Sequence, residues 1–293
     1  MQKNNNIEEF EEYAKGRKNN KRYYYRKAKK YPPKFQKNQQ NSSKNQFGFQ
    51  KKQKESVRVA FLGGLNEIGK NMTVYECRGD MFIVDCGLSF PDDDLPGVDI
   101  VIPDFTFVEK NVDKIKGLVV THGHEDHIGG IAYLLKKMNV PVYATKLTIG
   151  LIEGKLKEHN LLNKAKLIEV NPGDKISLGC FDIELIHVNH SIPDAVAVAV
   201  NTPAGIIIQT GDFKIDTTPI DGDMIDLARF CEYGKKGVLA LLSDSTNAER
   251  PGFTMSERKV GESFELLFNK ANNKRIIVAT FASNIHRVQQ IMD

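Results

Sequence analysis

The sequence contains no apolar stretch of about 18 residues, the length at which a membrane-spanning helix becomes a candidate. Its first residues, MQKNNNIEEFEEYAKGRK, include neither an apolar segment nor a small-residue cleavage site, so they predict no secretory signal. Internal repeats and a collagen-like or coiled-coil bias are also missing. With 293 residues, of which 41% are hydrophobic, the chain can bury a full core. These features predict a soluble cytoplasmic protein without a membrane partner.

Cysteine is scarce, and its spacing excludes two common kinds of site. No C-x-x-C pair is formed by the four cysteines, Cys77, Cys86, Cys180 and Cys231. Neither a zinc ribbon nor a dithiol redox centre is therefore predicted. We expect all four cysteines to be reduced, apolar side chains.

The formal net charge of +4 conceals an uneven distribution. Residues 1–55 contain 16 Lys and Arg against 5 Asp and Glu, a net charge of +11, which leaves −7 for residues 56–293. Because this first segment is rich in Asn, Gln and Lys and lacks apolar periodicity, we predict a disordered basic tail. Its interleaved Tyr, Lys and Arg could contact RNA by stacking and phosphate binding. A solubilising extension without a specific partner is an equal alternative.

From Ser56 onward, apolar runs alternate with helical patterns, which predicts an α/β fold with helices packed on mixed sheets. Strands are predicted at VRVAFLGG, MFIVDCG, GLVVTHG, PVYAT, AKLIEV, KISL, FDIELIHVNH, VLALLSDS and RIIVATFAS, with a hairpin across TPAG in AVAVAVNTPAGIIIQTGD. Helices are predicted at IGGIAYLLKKM, KLTIGLIEGKLKEHN, DLARFCEYGKK, SERKVGESFELLFNKAN and NIHRVQQIMD.

The stretch THGHEDHIGG concentrates four potential metal ligands directly after a predicted strand. His122, His124, Asp126 and His127 lie within six residues, although the chain has only seven histidines. Neutral imidazoles and carboxylates are the ligands that zinc and similar divalent ions take in proteins. A closed structural site would need four ligands, whereas an excess of ligands with a glycine-rich exit favours two metals in an open cavity.

This His-x-His-x-Asp-His motif after a core strand resembles the signature of the metallo-β-lactamase superfamily, which implies an αββα four-layer sandwich. The resemblance implies that His122, His124 and His190 hold one zinc, that Asp126 and His127 hold a second, and that Asp212 bridges them. Asp85 could orient a metal-binding imidazole or cap the turn at Gly87. His187 is assigned to packing and His159 to the surface.

Three further stretches are similar to the bacterial ribonuclease J family, a β-CASP group of nucleases with a domain inserted into the metallo-β-lactamase core. They are FLGGLNEIGKNM, GLSFPDDDLPGVDIVIPD, and LLSDSTNAERPGFTMSE with VATFASNIHRVQQIMD, and the similarity extends from Val57 to the end. It implies a core over residues 56–255 and the beginning of the β-CASP domain over residues 256–293. Asp244 matches an acidic residue of that group and, with Asp126, is a predicted catalytic carboxylate. A turn cap is the alternative for Asp244.

FASNIHRVQQ resembles the beginning of the inserted domain. Ser283 or Asn284 would lie at a helix N-terminus, where free N–H groups favour an anion, and His286 and Arg287 follow in the first turn. RNA phosphate is the predicted ligand of these four residues. Ordinary N-capping by Ser or Asn is the alternative.

The resemblance implies a zinc-dependent ribonuclease that degrades and matures mRNA and rRNA, as a 5′-to-3′ exonuclease acting at a 5′-monophosphate and as an endonuclease. A hydroxide held by the two zincs would be the nucleophile, and Mn²⁺ or Mg²⁺ could supplement zinc. A homo-oligomer or a hetero-oligomer with a paralogue is implied. Two alternatives stay open: a small-molecule lactonase or thioesterase on the same fold, and a weakly active RNA-binding subunit of a ribonuclease complex.

In the resembling family, a further ligand of the second zinc and a catalytic histidine follow the inserted domain, whereas this sequence ends at RVQQIMD. The resemblance therefore implies that the 293 residues are the first part of a longer protein. We expect this chain alone to hold its second metal weakly, to expose an apolar sheet edge, and to be nearly inactive on 5′-monophosphorylated RNA.

Overall fold

The computed structural model describes residues 55–220, 222–271 and 273–293. The predicted basic tail, apart from its last residue, lies outside the described residues. In the part described, two β-sheets lie face to face and helices cover their outer faces. This arrangement confirms the predicted α/β fold class.

The first sheet combines an antiparallel half with a parallel half. In the order in which they pair, its strands are β1 Arg58–Gly63, β2 Met72–Cys77, β3 Asp80–Val84, β4 Ile115–Val119, β5 Val142–Ala144 and β6 Leu167–Glu169. β1, β2 and β3 pair antiparallel, and β3 to β6 pair parallel. β3 and β4 have both faces buried, as parallel strands normally do, whereas β6 lies at the sheet edge and is partly exposed.

The second sheet contains five strands, and four of them form an antiparallel meander. They are β7 Lys175–Leu178, β8 Phe181–His187, β9 Val196–Thr202, β10 Gly205–Gln209 and β11 Ala240–Leu242, and their order is β11-β10-β9-β8-β7. β11 pairs parallel with β10 at the edge. The hairpin predicted across TPAG is confirmed, because Thr202 pairs with Gly205.

The first five helices lie in connections between strands, and two more follow the last strand. They are α1 Thr106–Glu109, α2 Glu125–Ile128, α3 Ile131–Lys137, α4 Lys146–Glu158, α5 Leu227–Lys236, α6 Arg258–Lys270 and α7 Ile285–Met292, with a 3₁₀ turn at Val112–Lys114. All five predicted helices are confirmed, although the first, IGGIAYLLKKM, begins only at Ile131, and the short helix α2 forms where the sequence predicted a loop.

Alternating side chains of β3 show how the layers form. Phe82 and Val84 belong to the core between the two sheets, whereas Met81 and Ile83 belong to the core beneath the helices α3 and α4. Successive side chains of a strand point to opposite faces, so one strand contributes to two cores. Phe82 also contacts Phe181 of the second sheet edge-on, with ring centroids 4.9 Å apart.

A third core covers the outer face of the second sheet. Ala197 and Ile208 pack there against Tyr233 of α5. Helix, sheet, sheet and helix therefore form the four layers of the predicted αββα sandwich.

The structure differs from the predicted strands in two places: one strand was missed and one predicted strand is absent from the described residues. β2 is a strand that the sequence did not predict, because polar Thr73 and Glu76 interrupt the alternation of its six residues MTVYEC. The strand predicted at RIIVATFAS is wrong, since no described strand pairs with this segment. Without a neighbouring strand its apolar side chains are not buried, and Ile277 and Phe281 are 87% and 83% exposed.

The cysteines are all free thiols, as predicted. Among the described residues, every helix is too short or too polar to cross a lipid bilayer.

Candidate metal centre

The histidine-rich motif lies where β4 leaves the first sheet. β4 ends at Val119, and the chain stays extended through His124 before α2 begins at Glu125. The short helix turns the chain so that the ring of His127 lies 4.1 Å from that of His122, centroid to centroid. Both side chains are buried, which fixes their orientation.

The second sheet supplies two more ligand candidates at the same edge of the sandwich. His190 follows the end of β8 at His187, and Asp212 follows the end of β10 at Gln209. The motif and the second sheet are joined directly, because the Val196 N–H donates to the Thr121 carbonyl oxygen over 2.9 Å. Ends of strands from both sheets therefore meet around one cavity, as is common for binding sites on α/β folds.

Three imidazoles form the first cluster, defined here as His122, His124 and His190. The Nδ1 atom of His124 lies 3.2 Å from His122 Nε2 and 3.1 Å from His190 Nε2. The ligand atoms of all three lie within 4.8 Å of one another, close enough to hold one metal ion.

A carboxylate-rich group forms the second cluster, defined here as Asp126, His127 and Asp212. His127 Nε2 lies 3.5 Å from Asp126 Oδ2 and 3.4 Å from Asp212 Oδ1. The other oxygen of Asp212, Oδ2, lies 3.7 Å from His190 Nε2 in the first cluster. Asp212 therefore presents one oxygen to each cluster. His122 is also within 4.8 Å of the ligand atoms of His127 and Asp212.

Asp85 orients the ring of His127. The Asp85 side chain is 1% exposed, and its Oδ2 accepts a hydrogen bond of 2.8 Å from His127 Nδ1. Oδ1 accepts another of 2.8 Å from the Thr121 backbone N–H. Because Nδ1 of His127 is the donor to a carboxylate, Nε2 is the nitrogen free to act as a ligand.

The Thr121 hydroxyl has the same effect on His122. It donates to Asp85 Oδ2 over 2.9 Å and lies 3.0 Å from His122 Nδ1. A hydroxyl that donates to a carboxylate can still accept a hydrogen bond from Nδ1–H. That bond leaves Nε2 of His122 as the nitrogen facing the cavity.

The electrostatics favour the forms that bind metal. Burial, together with neighbouring imidazoles, lowers the pKa of His122 and His124, and the pKa of His190 falls to about 4. Burial raises the pKa of Asp212, but its hydrogen bond and charge interaction with His127 outweigh burial and lower it to about 2. At neutral pH these groups are neutral imidazoles and a carboxylate, which is the state in which they bind metals.

His127 differs from the other histidines. Burial lowers its pKa, but the carboxylates of Asp85, Asp126 and Asp212 outweigh burial and hold the pKa well above its ordinary value of 6.5. A divalent cation bound to His127 would replace the proton of the ring, and the same three carboxylates would stabilise its charge. Four imidazole nitrogens and two carboxylates around one cavity are a donor set that fits zinc or a similar divalent ion.

Asp244 lies close to the cavity and also caps a turn. Its Oδ1 accepts hydrogen bonds from the backbone N–H and hydroxyl of Thr246, of 2.9 and 2.8 Å. Its own N–H donates to the Thr210 hydroxyl over 3.0 Å, two residues before Asp212. The Asp244 charge acts to raise the pKa of His190, so the carboxylate is electrostatically coupled to the first cluster.

The residues predicted to bind RNA phosphate lie at the beginning of α7. The Ser283 main chain acts to raise the pKa of His124, and the Asn284 side chain caps the helix by accepting from the Arg287 N–H over 3.2 Å. The Arg287 guanidinium binds Glu257 through bonds of 2.8 and 2.6 Å. His286 lines a cavity of about 110 Å³ that His190 also borders.

The other two histidines lie apart from both clusters. His187 Nε2 lies 2.9 Å from the Asp223 carbonyl oxygen. His159 packs edge-on against Tyr133 and lies 2.8 Å from Lys136 Nζ through its Nδ1 atom.

Three polar side chains that do not belong to the His-x-His-x-Asp-His pattern contact residues of the motif. The sequence did not predict these contacts. Thr121 directly precedes His122, and this adjacency is the only sign in the sequence that Thr121 supports the motif. Asn71 lies 55 residues before Asp126 and contacts it through a side-chain hydrogen bond of 3.3 Å. Lys155 of α4 binds both oxygens of Glu125 at 2.6 Å, between two motif residues. A spacing pattern does not identify such distant partners.

Two sheets packed between helices, with a His and Asp cluster at their common edge, define a metal-binding α/β sandwich. A sequence model of the metallo-beta-lactamase superfamily matches residues 65–229, and the chain belongs to this superfamily.

Relatives with close sequence similarity are named ribonuclease J, which confirms the predicted resemblance. Ribonuclease J of Synechocystis sp. is 49% identical over 242 residues, covering 82% of this chain and 38% of the relative. Ribonuclease J 1 of Streptococcus pyogenes is 50% identical over 234 residues, covering 80% and 41%. Ribonuclease J2 of Bacillus subtilis is 46% identical over 243 residues, covering 83% and 43%. The chain thus spans about two fifths of the length of these relatives.

A solved structure shows the same fold at low sequence identity. The crystal structure of an Enterococcus faecalis V583 protein of unknown function has a TM-score of 0.60 and 19% identity, and the match covers 81% of this chain and 63% of that one. This likeness concerns the fold alone.

Proposed function

We propose that this chain carries the metal-binding part of a ribonuclease of the ribonuclease J type. The observation that carries the proposal is the convergence of four imidazoles and two carboxylates at the ends of strands from both sheets. The similarity to three proteins named ribonuclease J selects RNA as substrate among the substrates that this fold can serve.

The first cluster would hold one divalent ion and the second cluster another, with Asp212 shared between them. Bound ions would lower the pKa of a water molecule and neutralise charge on a phosphodiester. We propose zinc for both positions, with Mn²⁺ or Mg²⁺ as substitutes. Asp85 and Thr121 keep Nε2 of His127 and His122 directed at the cavity.

Asp244 and the beginning of α7 would contact or act on the RNA that is bound at the two clusters. The Asp244 carboxylate supports proton transfer beside His190. Ser283, Asn284 and His286 would bind a phosphate at the beginning of α7, where the free N–H groups of a helix N-terminus favour an anion. Arg287 is bound to Glu257 and holds the helix in place. Residues 256–293 would thereby begin a β-CASP domain after a core over residues 56–255.

Cleavage would proceed from a 5′-monophosphorylated end, with endonuclease activity as well, in RNA decay and in rRNA and mRNA maturation in the cytoplasm. Assembly with a second copy or a paralogue belongs to the same proposal. A lactonase or thioesterase would need the same ions but no basic tail.

Zinc content tests the centre. We expect about two zinc ions per intact active site, with the second held weakly by this chain alone, and we expect Asp126→Ala and His127→Ala chiefly to empty that second position. Elemental analysis with a competing chelator measures both. Metal-free protein after purification and zinc addition contradicts the proposal.

RNA hydrolysis tests the substrate. The chain is assayed with zinc on 5′-monophosphorylated RNA, 5′-hydroxyl RNA and a lactone, alone and fused to the segment of the Synechocystis relative that follows the matched region. We expect the fusion to cleave RNA, with a preference for the monophosphate, and the chain alone to be nearly inactive. Preferential lactone hydrolysis supports the small-molecule alternative, and RNA binding without cleavage by the fusion supports the subunit alternative.

A further inference from the structure

Asn71 ends the stretch FLGGLNEIGKN between β1 and β2, to which the proposed function gives no role. Its side-chain Nδ2 lies 3.3 Å from Asp126 Oδ2 and 3.1 Å from His127 Nε2. The same Nδ2 also lies 3.1 Å from the Asp126 carbonyl oxygen. One carboxamide therefore contacts two of the three residues of the second cluster.

The backbone of Asn71 is fixed on both sides of this side chain. Its N–H donates to the Asp126 carbonyl oxygen over 3.0 Å, and its carbonyl oxygen accepts from the Gly87 N–H over 2.9 Å. Residue 71 thus bridges the motif and the turn after β3. Since both main-chain groups are engaged, the side chain has little freedom to leave the cluster.

The preceding loop leaves space for the carboxamide. Gly64 has a φ of +84°, and a Cβ atom there would lie 2.3 Å from Asn71 Oδ1. Glycine is the residue that adopts this conformation without strain and also leaves this space open. The second glycine of the pair, Gly64, is therefore explained by the position of Asn71.

The side-chain amide of Asn71 is a hydrogen-bond donor to the second cluster. The two hydrogens of the amide NH₂ match the carboxylate and the carbonyl oxygen of Asp126, and Nδ2 lies beside His127 Nε2, the nitrogen that a metal ion would take. Among the described residues, no hydrogen bond joins Asn71 to His124 or His190 of the first cluster.

We propose that Asn71 is a positioning residue for the second metal position, holding Asp126 and His127 so that their ligand atoms converge with Asp212. This inference rests on the proposed two-metal centre. Loss of the carboxamide frees Asp126, which is partly exposed, to rotate away. Removing a hydrogen bond that orients a metal ligand typically weakens metal affinity about 10- to 100-fold.

The experiment is a competitive titration of Zn²⁺ against a chromophoric chelator for wild type, Asn71→Ala and Asn71→Leu. Leucine has the same branched arrangement of side-chain heavy atoms as asparagine but no polar atom, so it fills the site while removing the donors. Asn139→Ala is the matched control, since Asn139 is exposed and its Nδ2 donates to the Lys164 carbonyl oxygen over 2.9 Å and not to a ligand candidate. Circular dichroism reports the fold of each variant.

We expect both Asn71 variants to keep the affinity for the first ion and to bind the second about 10- to 100-fold more weakly, with Asn139→Ala unchanged. Unchanged second-ion affinity in Asn71→Leu overturns the inference, because packing alone would then suffice. Equal loss of both ions in folded protein also overturns it, since the effect would not be specific. Wild type that binds a single ion contradicts the two-metal centre itself, and the role of Asn71 with it.

Discussion

Glu184 is a carboxylate of β8 whose side chain is only 5% exposed, and it anchors α5 to the second sheet. Its Oε2 accepts hydrogen bonds from Arg229 Nη2 over 2.7 Å and from the Tyr233 hydroxyl over 2.9 Å. The hydrogen bond with Arg229 is the main reason why the pKa of Glu184 lies below its ordinary value of 4.5. Glu184 is the buried partner of this pair, and its loss weakens two hydrogen bonds at once, although Arg229 is 26% exposed and keeps its ion pair with Glu232.

We expect Glu184→Gln to lower the free energy of unfolding at pH 7 by about 1–3 kcal/mol. Because the folded-state pKa is depressed, the ionised Glu184 stabilises the fold above its unfolded-state pKa, and this contribution is lost as the pH falls through the folded-state value. The difference between wild type and variant should therefore shrink below pH 4.5. Urea unfolding at successive pH values measures it.

Glu262→Gln is the matched control, since Glu262 pairs with Lys259 on the surface, where both side chains are more than half exposed. We expect an effect below about 0.5 kcal/mol for this pair. A Glu184→Gln difference that does not change with pH would show that shape, and not charge, holds α5 in place.

Residues of the metal centre differ in how far the sequence revealed them. His122, His124 and His127 could be predicted because their spacing within one loop has a direct chemical meaning. His190 and Asp212 required the family resemblance, since each is a single residue at the end of a strand. Supporting residues such as Asn71 could not be predicted, because only the fold brings position 71 beside position 126.

At the level of elements, the turn after β3 and the motif loop approach each other closely at Gly87. A Cβ atom on Gly87 would lie 1.5 Å from the Asp126 carbonyl oxygen. The Cys86 N–H and Gly130 N–H also hydrogen-bond across this contact, to the carbonyl oxygens of His127 and Cys86. The two segments can therefore pack this way only when residue 87 has no side chain.

We expect Gly87→Ala to lower the free energy of unfolding by about 3 kcal/mol, because the motif loop must shift to admit the methyl group. The same shift should reduce zinc binding, so urea unfolding and zinc content are measured together. Gly150→Ala in α4 is the control, since its Cβ would meet no atom within 4 Å. That change should stabilise the helix by about 0.5–1 kcal/mol. Similar small effects of the two substitutions would contradict the close approach.

Strand pairing explains where the prediction of elements failed. β2 pairs with β3 through a tight turn in which Arg78 and Gly79 have φ of 52° and 89°. Two-residue hairpins are signalled in a sequence by dipeptides such as Asn-Gly or Asp-Gly, and Arg-Gly is not one of these. RIIVATFAS has the opposite character, since its apolar run is strong but lacks a partner strand among the described residues. Pairing is a property of the fold and is only weakly encoded in one segment.

For the whole molecule, the αββα layers could be predicted from the alternation of strands and helices together with the family resemblance. The order of strands within each sheet could not, because many pairings satisfy the same apolar pattern. The edge position of β11 illustrates this, since Leu241 is 60% exposed although it lies in a strand. Burial of such a residue depends on neighbours that a local sequence window does not contain.

Charge is also distributed over the whole molecule, with +11 on residues 1–55 and −7 on residues 56–293. A negatively charged folded part does not attract RNA over long range, so the tail is where non-specific phosphate binding is expected.

We predict that deleting residues 1–55 weakens binding to single-stranded RNA. The deletion should also flatten the plot of log affinity against log salt, because each lost phosphate contact lowers the slope by about 0.7. Fluorescence anisotropy in EDTA measures binding without cleavage. A variant of full length with the tail's Lys and Arg replaced by Gln separates charge from length, and it should behave like the deletion. An unchanged salt slope in both variants would assign the tail to solubility, with RNA bound by the folded part alone.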